Sequence, residues 1–257
     1  GYALSSAVRP LFAAAFHWAA LLVLRSLDRV GKGLRSAPRD AMLADMVEAN
    51  QRGGAFGVQR AFDNGGAVLG ALIAALALWQ FTSDVATVIA FAALPGLLAV
   101  ALVGLAVREP PRRTPLESLP PLSWRALGRP QRRVLIIVAA FTFARVSDTF
   151  IVLRGHQLGL GVVELLLLWA VMSLMKAGTS WFGGSWSDRA SRRLVLLASW
   201  TAWAGGLWLL CMADARLSLW LVAIYVALAS GLGEGAERAL VRDHARELKA
   251  KQSPAKK

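Results

Sequence analysis

The chain has 257 residues, of which 56% are hydrophobic and 18% charged, a formal net charge of +13 and a mean hydropathy of +0.50. That balance argues against ordinary soluble domains and points to a membrane protein. It also argues against a nucleic-acid partner, because the basic residues lie in separated tracts and form no single patch. The one cysteine, Cys211, leaves no intramolecular disulfide and reads as a packed small apolar residue.

A bilayer core needs about 20 mostly apolar residues per helix. Residues 1–15 read as a partial span. The chain opens inside this apolar stretch without an initiator Met, a charged leader or a small-residue cleavage site, so a fragment is expected and not a signal peptide. Seven full spans are then expected near 17–39, 54–80, 85–107, 134–155, 162–184, 194–212 and 217–241.

The first of these contains "RSLDRVGKGLRSAPRD", residues 25–40, with five basic and two acidic side chains. At about 100° per residue, Arg25, Asp28, Arg29, Lys32, Arg35 and Arg39 fall within an arc of roughly 120°, with Leu27, Val30 and Leu34 opposite. A charge at the bilayer centre costs about 2.5–3.5 kcal/mol. The deep residues Arg25, Asp28 and Arg29 are therefore expected to face a water-filled cavity, while Arg35, Arg39 and Asp40 snorkel at the helix end.

The span 54–80 carries Arg60, Asp63 and Asn64 together with Gly57, Gly66 and Gly70, small residues that permit close helix packing. The Pro- and Arg-rich segment 108–133 reads as a linker between an N-terminal half-bundle, 1–107, and a C-terminal half-bundle, 134–243, followed by a basic tail, 244–257, expected to be a solvated end. In the second half, Arg145 and Asp148, with Thr142 and Thr149, share a face of one span, and Ser230, Glu234 and Glu237 share a face of the last. Each acid has a base three or four positions away: Arg25 with Asp28, Arg60 with Asp63, Arg145 with Asp148, Glu234 with Arg238. Lys176 has no such neighbour, and the sequence does not name its partner.

Topology follows from the connections. Residues 108–133, 189–193 and 238–257 hold seven, three and seven Lys/Arg, whereas 81–84, 154–161 and 213–216 hold none, one and one. The alternation places the linker and tail in the cytoplasm. Trp18, Trp79, Trp124 and Trp220 fall at span ends, as interfacial aromatics do.

"GKGLRSAPRD" at 31–40 is echoed by "GEGAERALVRD" at 233–243, in the same orientation and six spans later, as parallel six-helix repeats require. His17, His156 and His244 are scattered, and no metal spacing, nucleophile-base set or nucleotide-binding loop stands out. Neither an enzyme nor a metal or organic cofactor is expected.

Three stretches resemble the major facilitator superfamily of secondary transporters. "GSWSDRASRR", Gly184 to Arg193, is similar to the G-x-x-x-D-R-x-G-R-R loop motif, with Ser191 in place of the second glycine. Gly57, Gly66 and Gly70 reproduce the G-x8-G-x3-G spacing of the motif associated with antiporters, with Ala71, Ala74 and Ala75 where a proline and two glycines usually follow. Arg25 resembles the membrane-embedded arginine of the fourth helix, followed here by Asp28-Arg29 instead of Gln-Gly.

The resemblance implies an all-α bundle of parallel six-helix repeats, represented from the end of helix three through helix ten, and monomeric when full length. It implies transport of a small molecule by alternating access, with a proton gradient as energy source. The fifth-helix glycines tilt the direction towards efflux. Proton-linked uptake of a small polar or anionic solute, and a non-transporting receptor or scaffold, are the alternatives.

The implied substrate contacts are Arg25, Asp28, Arg29, Arg145, Asp148 and Glu234. Asp28, Asp63, Asp148 and Glu234 are the implied proton carriers. Gly184, Asp188, Arg189, Arg192 and Arg193 form the gating motif, with Asp188 suited to the positive N-terminal end of the helix starting near Gly53. The arginines can meet acidic residues or membrane lipid. The setting is a bacterial-type inner membrane.

Overall fold

Leu- and Ala-rich runs favour helix, and helix is the structure that pairs every backbone polar group within one segment when no water is at hand. The computed structural model describes residues 17–106 and 147–252, with residues 8, 11–14, 129, 132, 133, 136, 137 and 140 besides. Its helices are α1 (Trp18–Met46), α2 (Arg52–Gln80), α3 (Val85–Phe91), α4 (Ala93–Ala106), α5 (Thr149–Gln157), α6 (Val162–Arg189), α7 (Arg192–Cys211) and α8 (Arg216–Gln252), with a single 3-10 turn, Ala49–Gln51, between α1 and α2. Among the described residues there is no strand. Residues 1–15 apart from the few named, most of the linker, most of the span expected at 134–155, and residues 253–257 lie outside the described residues.

Among the described residues, four helices are long and apolar enough to cross a membrane: α2, α6, α7 and the Arg216–Leu240 part of α8. Three expected spans need correction. The first, placed at 17–39, is a 29-residue helix that passes through Pro38 to Met46, and its charge keeps it out of the four. The span placed at 85–107 is two helices meeting at Ala92. Pro95 has no N–H to give the Phe91 carbonyl and its ring crowds that carbonyl, so the first helix ends there. The last, placed at 217–241, belongs to a helix that runs on to Gln252, into the stretch expected as a solvated tail.

Asp84 starts α3. Its carboxylate accepts from the Thr87 hydroxyl at 2.6 Å and from the Ala86 and Thr87 N–H groups at 3.0 Å each. These bonds, the Thr87 hydroxyl's first, hold its carboxyl below the usual aspartate range.

The chain divides into two units. One comprises Gly1–Met42 and Leu76–Leu122, the other Leu43–Ala75 and Ser123–Lys257. In the first, α1 is exposed on both its charged side, at Arg25, Arg29 and Lys32, and its apolar side, at Leu27, Val30 and Leu34.

The second unit holds the core. α8 presents a small residue every fourth position: Ala223, Ala227, Gly231, Gly235 and Ala239. That seam lets α6 close on it, so tightly that a Cβ on Gly231 would stand 2.0 Å from Thr179 Oγ1. Ile151, Leu168, Met172, Trp203, Leu219 and Val226 fill the space between α5, α6, α7 and α8. At one end of this bundle, Arg154 donates to the Ala213 carbonyl at 3.0 Å and pairs with Asp214 at 3.2 Å. Beside it Arg216 donates to the Gly159 carbonyl at 2.7 Å, where Gly159 has φ +77°, a turn conformation that favours glycine.

Candidate functional site

At the opposite end of the second unit, three helices meet backbone to backbone. The residues responsible recur at intervals of three and four, hence on one face of each helix: Gly53, Gly57, Arg60 and Asn64 on α2; Lys176, Ser180, Gly184 and Ser187 on α6; Ser230 and Glu234 on α8, with Gly235 next to Glu234. A Cβ on Gly184 would lie 2.2 Å from the Gly53 carbonyl oxygen and 2.9 Å from Gly57 Cα. One on Gly57 would lie 2.4 Å from the Ser180 carbonyl, and one on Gly235 would lie 2.9 Å from the Gly53 carbonyl. Only glycine fits these positions at this helix spacing.

Asp188, at the last turn of α6, closes the junction. Its carboxylate accepts from the Gly53 N–H at 2.9 Å and the Gly54 N–H at 2.7 Å, and from the Arg192 guanidinium at 3.2 Å. Gly53 and Gly54 are the second and third residues of α2, whose N–H groups have no partner within their own helix. A carboxylate from another helix therefore caps them and meets the positive end of the α2 dipole.

Deeper in the bundle lies a polar cluster. Glu234 accepts from Asn64 Nδ2 and Ser180 Oγ, both at 3.3 Å, and faces Arg60 Nε at 3.8 Å. Arg60 reaches Asp63 as well, at 3.6 Å. One further turn along α6, Lys176, its side chain 9% exposed, pairs with Asp148 just before α5. From Asp188 to Lys176 is about 18 Å along the axis at 1.5 Å per residue.

A sequence profile of the Major Facilitator Superfamily matches residues 1–252. The chain belongs to the major facilitator superfamily. It is also similar to a protein of Methanocaldococcus jannaschii described as an uncharacterized MFS-type transporter, with 28% identity over 202 residues. That match covers 76% of this chain and 50% of the relative, so the chain spans about half the relative's length. No solved structure matches it. With its superfamily and four helices of spanning length and composition, the chain is an integral, multi-pass membrane protein with an all-α fold.

The superfamily residues read from the sequence fall into four groups. Gly57, Asp63, Asp148, Glu234, Gly184, Asp188 and Arg192 belong to the junction and the clusters beneath it. Arg189 and Arg193 are exposed, outside it. Arg25, Asp28 and Arg29 lie in the first unit, and Arg145 and Thr142 lie outside the described residues.

Contacts correct two expectations and complete two others. Arg25 and Asp28 form no ion pair among the described residues; an Arg preceding an Asp is the less favourable order on a helix, and both ends have access to solvent. The outer part of that stripe does pair, Arg39 with Asp40 at 3.6 Å. Glu234 reaches Arg60 on another helix, beyond the Arg238 expected on its own. The close approach expected at Gly66 and Gly70 is found instead at Gly53 and Gly57, since a Cβ on Gly66 or Gly70 meets nothing within 4 Å. Lys176, left without a named partner, has Asp148.

The sequence reading passed over Ser180, Gly235, Gly54 and the buried Arg52. Ser180 carried a usable signal, midway between Lys176 and Gly184 at four-residue spacing.

Asp188→Ala removes the acceptor shared by two N–H groups and Arg192, and charge-assisted hydrogen bonds contribute about 1.5–3 kcal/mol each. The junction is expected to open more often, raising thiol labelling of Ala55→Cys by about tenfold or more in a Cys211→Ala background. An unchanged labelling rate would reduce Asp188 to a local cap.

Proposed function

We propose that this chain is part of a secondary active transporter, not an enzyme, that expels a small molecule by alternating access in exchange for protons. The observation that carries the reading is the stacking on α2, α6 and α8. One end is sealed by glycine contacts and Asp188, and the same three helices carry Glu234, Arg60, Asn64 and Ser180 immediately beneath. Protonation of Glu234 would release Arg60, and loss of that pair loosens the helices that the seal joins. Glu234 and Asp148 are the leading proton sites, with Asp63 beside Arg60 and Asp28 in the first unit as further ones. Arg25, Arg29 and Arg145 are proposed for the substrate, suited to an anionic or polar group.

The basic connections orient the seal towards the cytoplasm of a bacterial-type inner membrane. That makes the closed form described above outward-facing. Proton-linked uptake is the second reading, favoured by one observation: Gly66 and Gly70, which carry the antiporter spacing, pack against nothing within 4 Å.

Membrane vesicles containing the complete protein separate these readings. Everted vesicles with an acid interior are expected to accumulate members of a radiolabelled panel of small solutes, with a protonophore abolishing accumulation. Gradient-driven accumulation only in right-side-out vesicles would reverse the direction. No gradient-dependent movement in either would contradict transport.

A further inference from the structure

A second face of α6, flanking the junction at Ser185, carries a different chemistry. Trp181, Phe182 and Trp186 are 62%, 65% and 47% exposed. With Ser185 and Arg189 they line an open cleft of about 310 Å³. Positions 181, 182, 185, 186 and 189 share one helix face over about 12 Å of axis.

Arg189 is exposed at the end of this cleft and makes no hydrogen bond or ion pair among the described residues. Its neighbours are otherwise engaged: Asp188 holds α2 and Arg192, and the Ser185 hydroxyl donates to the Trp181 carbonyl at 3.1 Å. The cleft is thus an aromatic wall with one uncommitted guanidinium at its outer end.

We infer that this cleft binds an anionic phospholipid of the cytoplasmic leaflet. Arg189 takes the phosphodiester, and Trp181, Phe182 and Trp186 take the glycerol region and the upper acyl chain. α6 is of membrane-spanning length and composition, and these residues occupy its last turns, the depth at which tryptophan meets the headgroup region. Three arginines within residues 189–193 mark this end as the cytoplasmic one, where anionic lipids concentrate. A planar guanidinium matches a phosphate through paired N–H donors. A net negative headgroup is selected because a zwitterionic one brings its own ammonium to compete with Arg189. Binding here depends on membrane orientation and not on the transport cycle.

The test uses the complete protein in phosphatidylcholine vesicles containing brominated phosphatidylglycerol or, separately, brominated phosphatidylcholine at equal mole fraction. Subtracting the signal of a Trp181→Phe/Trp186→Phe variant isolates quenching at the cleft. The wild type is expected to prefer phosphatidylglycerol by about fivefold, the effect of one arginine near an anionic surface. Arg189→Gln should bring the ratio to about one, while Arg193→Gln, exposed on α7, should leave it within about twofold. Equal quenching by both lipids in the wild type would overturn the inference, since the cleft would then be covered by another segment or filled by any lipid alike. An equal loss in both arginine variants would overturn it too, by assigning the preference to the general charge of this end.

Discussion

A Gly184→Ala variant loses the closed junction. The added methyl would stand 2.2 Å from the Gly53 carbonyl oxygen and 2.9 Å from Gly57 Cα, and both are backbone atoms that cannot rotate away. The helices must separate, which breaks the Asp188 bonds to Gly53 and Gly54. Alanine gains about 1 kcal/mol in helix propensity. Against that stand about 1–3 kcal/mol of overpacking and about 1.5–3 kcal/mol for each charge-assisted hydrogen bond lost. The closed form is therefore destabilised by at least about 3 kcal/mol.

Gly66→Ala is the internal control. Its Cβ meets nothing within 4 Å, so only the propensity gain of up to about 1 kcal/mol remains. Thermal unfolding in detergent, together with spin-label distances between α2 and α6, distinguishes the two. Opposite signs are expected. The same sign for both would mean that the junction is not a tight backbone contact.

The Lys176–Asp148 pair has the second large effect. Removing one partner of a buried ion pair costs about 3–5 kcal/mol, because the other charge stays behind without compensation. Lys176→Met and Asp148→Asn should each approach that loss, somewhat less for Asp148 because its side chain is 23% exposed. The double variant should recover most of it, since a neutral pair of similar volume carries no stranded charge. Additive losses in the double variant would show that the two residues stabilise the bundle independently. Transport in Lys176→Met would then report on Asp148 freed from its pair, the condition under which a proton-carrying role is easiest to detect.

The sequence disclosed what depends on local chemistry and withheld what depends on which surfaces meet. Apolar runs predicted helices at nearly every described position. Asp188 was matched to the start of α2, near Gly53, because an acid in a loop and the positive N-terminal end of a helix have a common electrostatic solution. The reading of Glu234 met a limit of another kind: Arg238 is one turn away in sequence, whereas Arg60, 174 positions away, is brought within 3.8 Å only by the packing of α2 on α8. Lys176 and Asp148 are separated by 28 positions and a chain reversal, beyond any helical periodicity.

The glycines of α2 illustrate the same limit. Gly53, Gly57, Gly66 and Gly70 are all small and all at packing-compatible spacing, and composition cannot tell which half of a helix has a neighbour. The break at Ala92 was open to view in Pro95, yet a 20-residue average of hydropathy passes over a single proline. The exposed aromatics of α6 counted as span residues, and only their grouping around an uncommitted Arg189 separates them from ordinary lipid-facing side chains.

In the proposed mechanism the meeting of α2 and α6 at Gly53–Gly57 and Gly184–Asp188 opens and closes during transport. A Cβ on Gly54 lies 3.5 Å from Ser185 Oγ and 3.9 Å from Ser185 Cα, within reach of disulfide geometry. Gly54→Cys/Ser185→Cys, built in the complete protein with Cys211→Ala, should crosslink under mild oxidant, stop transport when crosslinked and regain it on reduction. Full transport by the crosslinked protein would mean that this junction need not open.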